Sequence, residues 1–326
     1  MKICVYGAGA VGGVIAAWLA RAGHEVSVVA RGAHLTAIRS GGLRIVSAQG
    51  ESTARIAADS DPSRLGPQDY VIVAVKGQSL PEVAAGIGPL LGTQTCVVTA
   101  MNGVPWWFFD RLPFGAGRLR LESLDPDGAI ARAMPTERVV GCVIHLAASV
   151  AGPGVIRHSL GGRLILGEPG GKNTARTERI AEALREAGFE VVTSSFIERD
   201  FWVKLLGNIS FNPVSALTLA TADRMIADPE VKAYMVAIMR ECLAIGRAAG
   251  VDADIDPEAR MDMARRLGTF KTSMLQDMEG GKSLEIDGLL TGTLEIARKA
   301  GVAAPFTESL LGMVRLRAQS TGQYRG

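Results

Sequence analysis

A lysine and two asparagines recur at helical spacing in the second half of the chain. Lys204, Asn208 and Asn212 are each four residues apart in the sequence FWVKLLGNISFNP, so they share one face of a helix. The positions between them are largely apolar, which predicts that the rest of this helix is buried. Polar groups buried without partners would cost several kcal/mol each, and a bound ligand is the simplest partner for this face. A lysine suits a proton donor to a carbonyl under reduction, because partial burial lowers the pKa of an ammonium group.

A structural interpretation of this face is also open, in which the lysine extends to solvent and the amides cap neighbouring backbone. Pro213 follows the second asparagine, and we expect the helix to kink or end there, because proline removes a backbone hydrogen bond. Two polar residues farther along could join the site. Ser273 could donate to a substrate carboxylate, and Glu285 could orient the lysine or bind a cofactor, although both residue types are more often helix caps or surface groups.

The first 31 residues place a glycine-rich turn between a strand and a helix. A buried strand is predicted from Lys2 to Tyr6, an apolar helix follows as far as Gly23, and a second strand begins at Glu25. The turn between them is a G-x-G-x-x-G fingerprint in the context that dinucleotide binding requires. It consists of Gly7, Ala8, Gly9, Ala10, Val11 and Gly12. The helix N-terminus would bind a pyrophosphate through its N–H groups and dipole. A purely structural glycine turn is the alternative.

Arg31 follows the second strand, in the region where an acidic residue would bind the ribose 2′-hydroxyl of NAD. No carboxylate follows Glu25 in this strand. Because a guanidinium can pair bidentately with a 2′-phosphate, the sequence predicts NADP(H) rather than NAD(H). A solvated surface arginine is the alternative.

Composition narrows the class of protein. The 326 residues include 35 basic and 33 acidic ones, a formal net charge of +2, and no basic run favours nucleic-acid binding. The four cysteines are widely separated, so we expect reduced core thiols and no metal site. No apolar stretch approaches the roughly 18 residues of a membrane span, and a strand that starts at residue 2 leaves no room for a signal peptide. We therefore expect a cytoplasmic protein that does not act at a membrane.

Strands and helices alternate in the first two-thirds of the chain, and the remainder is predicted to be helical. The predicted helices are Phe201 to Leu219, Pro229 to Ala249, Pro257 to Leu267, Phe270 to Met278, Ser283 to Ala300 and Pro305 to Ala318. A hairpin is predicted around Gln49-Gly50. One predicted strand, Asp69 to Lys76, ends in a lysine, and another, Thr95 to Thr99, is followed by Asn102. In an open α/β sheet, ligands bind at the carboxyl ends of the strands. The sequence therefore predicts an α/β fold: an N-terminal Rossmann-type doubly wound sheet in residues 1–196, followed by an all-α domain in residues 197–326.

Residues 105–137 interrupt the alternation. The aromatic run Trp106 to Phe109 is followed by a stretch rich in Gly, Pro and Arg. So long a segment is typical of a lid or an added surface element. It could equally cover a hydrophobic edge or form a subunit contact.

Taken in order, these motifs resemble the ketopantoate reductase family over nearly the whole chain. The resemblance rests on the GAGAVG start, Arg31, Val75-Lys76, Met101-Asn102-Gly103, Lys204 with Asn208 and Asn212-Pro213, and SMLQD at 273–277 followed by Glu285-Ile286-Asp287. Enzymes of this family use NADPH to reduce 2-dehydropantoate to (R)-pantoate in pantothenate biosynthesis. The resemblance implies a Rossmann N-domain, a helical C-domain and a substrate cleft between them.

The resemblance also implies roles for individual residues. The proton-donating lysine of the family falls on Lys204, with Glu285 as the other catalytic residue. The substrate-binding residues fall on Asn208, Asn212 and Ser273, and Asn102 belongs to both the substrate and the nicotinamide side of the site.

The implied cofactor contacts extend beyond the glycine turn. Arg31 and Lys76 match the basic residues expected near the 2′-phosphate. Asn102 and Glu285 match cofactor-contacting positions, and Ala147 matches a contact that follows a later strand.

Two departures from the family pattern concern the substrate. Biosynthetic members often carry a further asparagine where this chain has Ala222, and the segment from Trp106 to Pro135 is longer than in compact members. A relative that reduces a different branched 2-oxo acid is therefore one alternative. An opine or 3-hydroxy-acid dehydrogenase is another, but His145 and His158 are better explained as ordinary strand residues than as a catalytic histidine. An NADP(H) sensor is a third, and a homodimer is an assembly left open.

Overall fold

A computed structural model describes residues 1–114, 119–266 and 268–324 of the protein. They divide into two compact units, Met1–Met101 with Asp127–Ile197, and Asn102–Pro126 with Glu198–Gly326. The predicted division after residue 196 concerns domains and stays a prediction. No helix in the described part of the chain is both long and apolar enough to cross a membrane.

The first unit contains a mixed sheet of ten strands. The strands are β1 (Lys2–Tyr6), β2 (Glu25–Val29), β3 (Leu43–Ser47), β4 (Gly50–Ala54), β5 (Ala57–Asp59), β6 (Gln68–Val73), β7 (Leu91–Ala100), β8 (Val139–Gly152), β9 (Val155–Gly167) and β10 (Glu190–Thr193). Six of them are parallel, in the order β5-β2-β1-β6-β7-β8. This is the strand order of a Rossmann fold, in which the sequence of strands reverses between β1 and β6. The predicted fold class is confirmed.

The remaining strands extend the sheet beyond β8. β9 is antiparallel to β8, and β3 and β10 each pair with β9 in parallel. β3 and β4 form the hairpin predicted around Gln49-Gly50. The central strands are runs of Val and Ile buried on both faces, as parallel strands under helices require.

The helices of the first unit are α1 (Ala10–Arg21), α2 (Gly32–Gly41), α3 (Leu80–Gly86), α4 (Ala129–Ala133) and α5 (Ala175–Glu186). One predicted strand end differs in the structure. β6 ends at Val73, so Lys76 lies three residues beyond the strand and begins the short turn Gly77–Ser79.

The second unit is helical. Its helices are α6 (Ile197–Thr218, which begins at the last residue of the first unit), α7 (Ala222–Ala227), α8 (Pro229–Ala248), α9 (Pro257–Arg266), α10 (Ser273–Glu279), α11 (Gly292–Ala300) and α12 (Pro305–Ser320). The sequence analysis missed α7. The helix predicted from Ser283 to Ala300 is α11 preceded by a π-helical turn, Asp287–Thr291. The expected end of α9, Leu267, lies outside the described residues.

α6 continues through Pro213 to Thr218. Of the two outcomes expected at the proline, the end of the helix is therefore wrong. Leu219, with φ of 56°, adopts the left-handed conformation just after the helix. Packing explains why the helix persists. Phe211, Val214 and Ala216, which lie on either side of the proline, are buried, and a tertiary environment of this kind overrides a local propensity.

The aromatic run belongs to the core of the second unit. Trp106, Trp107, Phe108 and Phe109 are all buried. The ring of Trp107 meets Phe201 edge-on at 5.4 Å, and the ring of Phe108 lies 5.7 Å from Trp202. Aromatic contacts of this kind anchor the segment to α6, so these four side chains do not form an exposed lid. The residues 115–118 of the same segment lie outside the described residues.

Candidate active site

The glycine turn joins β1 to α1 at the point where the strand order reverses. Gly7 has φ of 103°, and a β-carbon there would lie 2.8 Å from the carbonyl oxygen of Ala74. At Gly12 a β-carbon would lie 2.1 Å from the carbonyl oxygen of Gly7. Both positions therefore exclude a side chain, as a tight turn at the first glycine and close helix–strand packing at the third require.

Gly9 differs from Gly7 and Gly12 because, among the residues that the structure describes, no distant atom lies within 4 Å of the position of a β-carbon. It is the N-cap of α1 and supplies no side-chain hydrogen bond to the first turn of that helix. An open, uncapped helix N-terminus next to a residue without a side chain fits a phosphate group.

His34 ties this turn to the sheet. Its Nδ1 accepts the backbone N–H of Gly154 at 3.0 Å, so its Nε2 carries the proton and donates to the carbonyl of Ala8 at 2.7 Å. The imidazole on α2 thus holds the glycine turn against the connection between β8 and β9. The sequence analysis missed this residue, because a lone histidine in a helix gives no indication of its partners.

Arg31 is the N-cap of α2, and its exposed guanidinium forms an ion pair with Glu82 of α3. An exposed pair of this kind contributes little to stability, so the guanidinium can exchange its partner at low cost. Lys76 is half-buried beyond β6. Ala147 is an exposed residue in β8, opposite Leu160 of β9.

The predicted polar face of α6 brings together residues that are far apart in sequence. The Nζ of Lys204 donates to the Oδ1 of Asn102 at 2.8 Å. The Nδ2 of Asn102 in turn donates to the Oε2 of Glu285 at 3.5 Å. The amide therefore links the ammonium group to the carboxylate, and all three side chains are half-buried.

A second pair of contacts joins α6 to α10. The Nδ2 of Asn212 donates to the hydroxyl of Ser273 at 3.3 Å. One turn later the hydroxyls of Ser215 and Thr272 lie 2.5 Å apart, and Thr272 caps α10 by accepting the N–H of Leu275. The side chain of Asn208, between the two groups, makes no hydrogen bond within the described ranges. The structure thus places Lys204, Asn208, Asn212, Ser273, Asn102 and Glu285 in one unit.

The chain is held in place both before and after Glu285. After it, Gly288 packs against Gly103, which has φ of 78°, and the carbonyl of Gly288 accepts the N–H of Val104 at 2.9 Å. π-helical turns such as the one that contains Gly288 are frequent at functional sites.

Before Glu285, the chain is held by the segment that follows α12. The buried side chain of Gln323 donates to the carbonyls of Asp277 and Lys282 at 3.0 and 2.8 Å. The backbone carbonyl of Gln323 accepts the N–H of Leu284. Next to it the hydroxyl of Tyr324 donates to Asp287 at 2.7 Å. Burial, with the Asp287 contact, raises the pKa of Tyr324 to about 12, so the hydroxyl remains a donor.

No cluster of three or more His, Cys, Asp or Glu side chains that could hold a metal ion occurs within the described ranges. A Rossmann sheet with an open glycine turn, together with a lysine held by an amide on a polar helix face, has the parts of a dinucleotide-dependent oxidoreductase.

Comparison with known proteins identifies the family. Residues 3–171 match the family described as ketopantoate reductase PanE/ApbA, and residues 197–318 match its C-terminal domain. A 2-dehydropantoate 2-reductase from Mesorhizobium japonicum is 43% identical over 325 residues, which cover 99% of this chain and 100% of the relative. The chain belongs to the ketopantoate reductase family, and this membership implies a nicotinamide cofactor and a small 2-oxo acid substrate.

Solved structures agree. A crystal structure of a candidate ketopantoate reductase from Ralstonia solanacearum MolK2 is 50% identical, covers 99% of both chains and has a TM-score of 0.95. A ternary structure of D-mandelate dehydrogenase with NADH and anilino(oxo)acetate has a TM-score of 0.85 and covers 99% of this chain and 100% of its own. At 20% identity this second likeness shows the fold alone.

Proposed function

We propose that the protein reduces 2-dehydropantoate to (R)-pantoate with NADPH. The observation that carries this proposal is the contact of Lys204 with Asn102, on the helix face that also presents Asn208 and Asn212. The bound nicotinamide cofactor supplies the hydride. A reduced carbonyl then needs a proton, and the ammonium group of Lys204 is the donor placed among uncharged amides.

Within this proposal Lys204 donates a proton from Nζ to the alkoxide that forms at the substrate carbonyl. Asn102 holds the ammonium group through Oδ1, and Glu285 orients Asn102 from the other side of the amide. A fixed donor aimed at developing negative charge accelerates the reaction without reorganisation of solvent. Asn208, Asn212 and Ser273 bind the 2-oxo acid and hold it in the reactive orientation.

The cofactor would be held mainly by backbone. Its pyrophosphate would bind to the turn from Gly7 to Gly12, and Arg31 and Lys76 would bind the 2′-phosphate, which requires Arg31 to leave Glu82. Ala147, Asn102 and Glu285 complete the proposed cofactor contacts. We also propose a cytoplasmic enzyme, which its four buried free cysteines support, and leave a homodimer as a further proposal.

A second candidate function is the reduction of a different branched 2-oxo acid. Ala222, where biosynthetic relatives often carry an asparagine, is completely buried, and its N–H donates to the carbonyl of Phe270. A methyl group at this position favours a substrate without the terminal hydroxyl of 2-dehydropantoate.

The test is a panel of branched 2-oxo acids, including 2-dehydropantoate and its analogue without the hydroxyl, followed by nicotinamide absorbance. We expect the highest kcat/KM for 2-dehydropantoate. A higher value for the analogue would support the second candidate. Cofactor binding without turnover of any acid would contradict both and favour a sensor.

Arg31 decides the cofactor. In Arg31→Ala the KM for NADPH should rise about 10- to 100-fold, since hydrogen bonds to charged groups contribute about 1.5–3 kcal/mol, while the KM for NADH should change little. Arg179→Ala is the matched control, because Arg179 lies near Asp69 at the opposite, amino end of β6. Equal changes for both cofactors would reject the assignment to the 2′-phosphate.

A further inference from the structure

Gly207 is a glycine in the interior of α6, three residues after Lys204 and one before Asn208. Glycine at such a position costs a helix about 1 kcal/mol relative to alanine. Here the missing side chain makes room for a neighbour. A β-carbon at this position would lie 3.2 Å from Nη2 of Arg260, 3.8 Å from its Nε and 3.9 Å from its Cζ. The edge of the guanidinium therefore rests on the bare backbone of α6.

Arg260 reaches this position from the buried side of α9, the side that carries Pro257 and Met261. Its Nη1 lies 3.6 Å from the sulfur of Met263, which is a weak acceptor. Within the described ranges no carboxylate forms an ion pair with it, whereas Arg265 of the same helix pairs with Asp262 at 3.0 Å. Burial lowers the pKa of Arg260 from its usual value. The guanidinium is thus partly desolvated without an anion to compensate it.

The position of Gly207 relates this charge to the candidate site. On a helix, residue 207 borders the stripe formed by Lys204 and Asn208. The other side chains assigned to the substrate on this unit are neutral amides and a hydroxyl. A 2-oxo acid, however, has a full negative charge, and neutral donors compensate a buried carboxylate only in part.

We propose that Arg260 binds the carboxylate of the 2-oxo acid substrate, with Gly207 as the residue that admits its guanidinium to the substrate-binding face of α6. The inference rests on the proposed function and adds a residue that determines specificity for acids. It leaves Lys204 to the carbonyl oxygen, and Asn208, Asn212 and Ser273 to the rest of the substrate.

The experiment compares Arg260→Gln with Arg265→Gln, the ion-paired arginine on the same helix. In Arg260→Gln the KM for the 2-oxo acid should rise about 10- to 100-fold, as expected for the loss of a hydrogen-bonded charge. The KM for NADPH and the melting temperature should remain those of the wild type, and Arg265→Gln should change neither KM. Arg260→Lys should restore part of the affinity, because it retains the charge but not the bidentate geometry.

A neutral substrate shows whether the carboxylate is the group that is bound. The wild-type enzyme should prefer the acid to the corresponding 2-oxo amide, and this preference should fall about tenfold or more in Arg260→Gln. Gly207→Ala is a second variant that favours the helix but displaces the guanidinium, and it should also raise the KM for the acid. An unchanged preference for the acid in Arg260→Gln, with an unchanged KM, would overturn the proposal while the reductase activity stands. If the wild type reduces none of the acids, the proposed function fails, and the role of Arg260 fails with it.

Discussion

The glycine turn between β1 and α1 and the polar face of α6 are built from opposite parts of the chain. At the turn, Gly7 and Gly12 lack side chains because neighbouring backbone occupies the space, and Gly9 leaves an opening. On α6, Lys204 presents a side chain that is held by Asn102, which is 102 residues away. A site made of backbone needs residues with no side chain, and a site made of side chains needs partners that only the tertiary fold supplies. The first is local in sequence and the second is not.

The largest expected effect is that of a substitution on the polar face of α6. Lys204→Ala removes the proposed proton donor, and kcat should fall about 10²- to 10⁴-fold. Binding of NADPH should be nearly unchanged, because the proposed pyrophosphate site lies in the glycine turn. Steady-state kinetics and a fluorescence titration with NADPH would check both expectations. Lys299→Ala, in which an i,i+4 ion pair between an exposed lysine and the half-buried Glu295 is lost, is the control. Turnover close to that of the wild type in Lys204→Ala would mean that another group donates the proton.

In the glycine turn, two variants distinguish an effect on packing from an effect on cofactor binding. In Gly12→Ala the new methyl group would meet the Gly7 carbonyl, so overpacking should destabilise the protein by about 1–3 kcal/mol as well as weaken cofactor binding. In Gly9→Ala the methyl group points into open space among the described residues, so the melting temperature should stay unchanged while the KM for NADPH rises at least about tenfold. Thermal denaturation and kinetics measure the two quantities. A stable Gly9→Ala variant with normal KM would show that no phosphate approaches this residue.

The smallest expected effect concerns the support of the glycine turn. His34→Leu removes the hydrogen bonds to Ala8 and from Gly154, each of about 1 kcal/mol, and the KM for NADPH should rise several-fold. The KM for the 2-oxo acid should not change. His158→Leu is the matched control, since the imidazole of His158 lies against the carbonyl of Gly161 in its own strand and the ring of Trp18. A change in both substrate constants would indicate general disorder rather than a displaced turn.

Local patterns predicted the parts of the molecule that depend on local physics. Three features follow from neighbouring residues. They are the turn from Gly7 to Gly12, the alternation of strands and helices that produces the Rossmann strand order, and the spacing of Lys204, Asn208 and Asn212 on one helix face. The further members of the proposed site came from the family resemblance and not from spacing. Their roles stay proposals.

The rest depended on distant contacts. Pro213 would end an isolated helix, but the burial of α6 on either side of the proline sustains it. Trp107 and Phe108 are typical of a lid when considered alone, and only the structure shows that α6 covers them. His34 and Arg260 could not be selected from the sequence, because nothing near a histidine or an arginine in the chain specifies which backbone or helix it will meet.

Gln323 has a consequence for the order in which the protein acquires its site. The carbonyls of Asp277, near the end of α10, and of Lys282, in the connection to the π-helical turn, accept hydrogen bonds from a residue that follows α12. Closing a loop of that length costs entropy that only the finished contacts recover. The carboxylate of Glu285 should therefore become fixed late in folding, after α11 and α12 have packed. A chain that stops after α12 but before Gln323 would contain the glycine turn and Lys204, but the carboxylate of Glu285 would not be held in position.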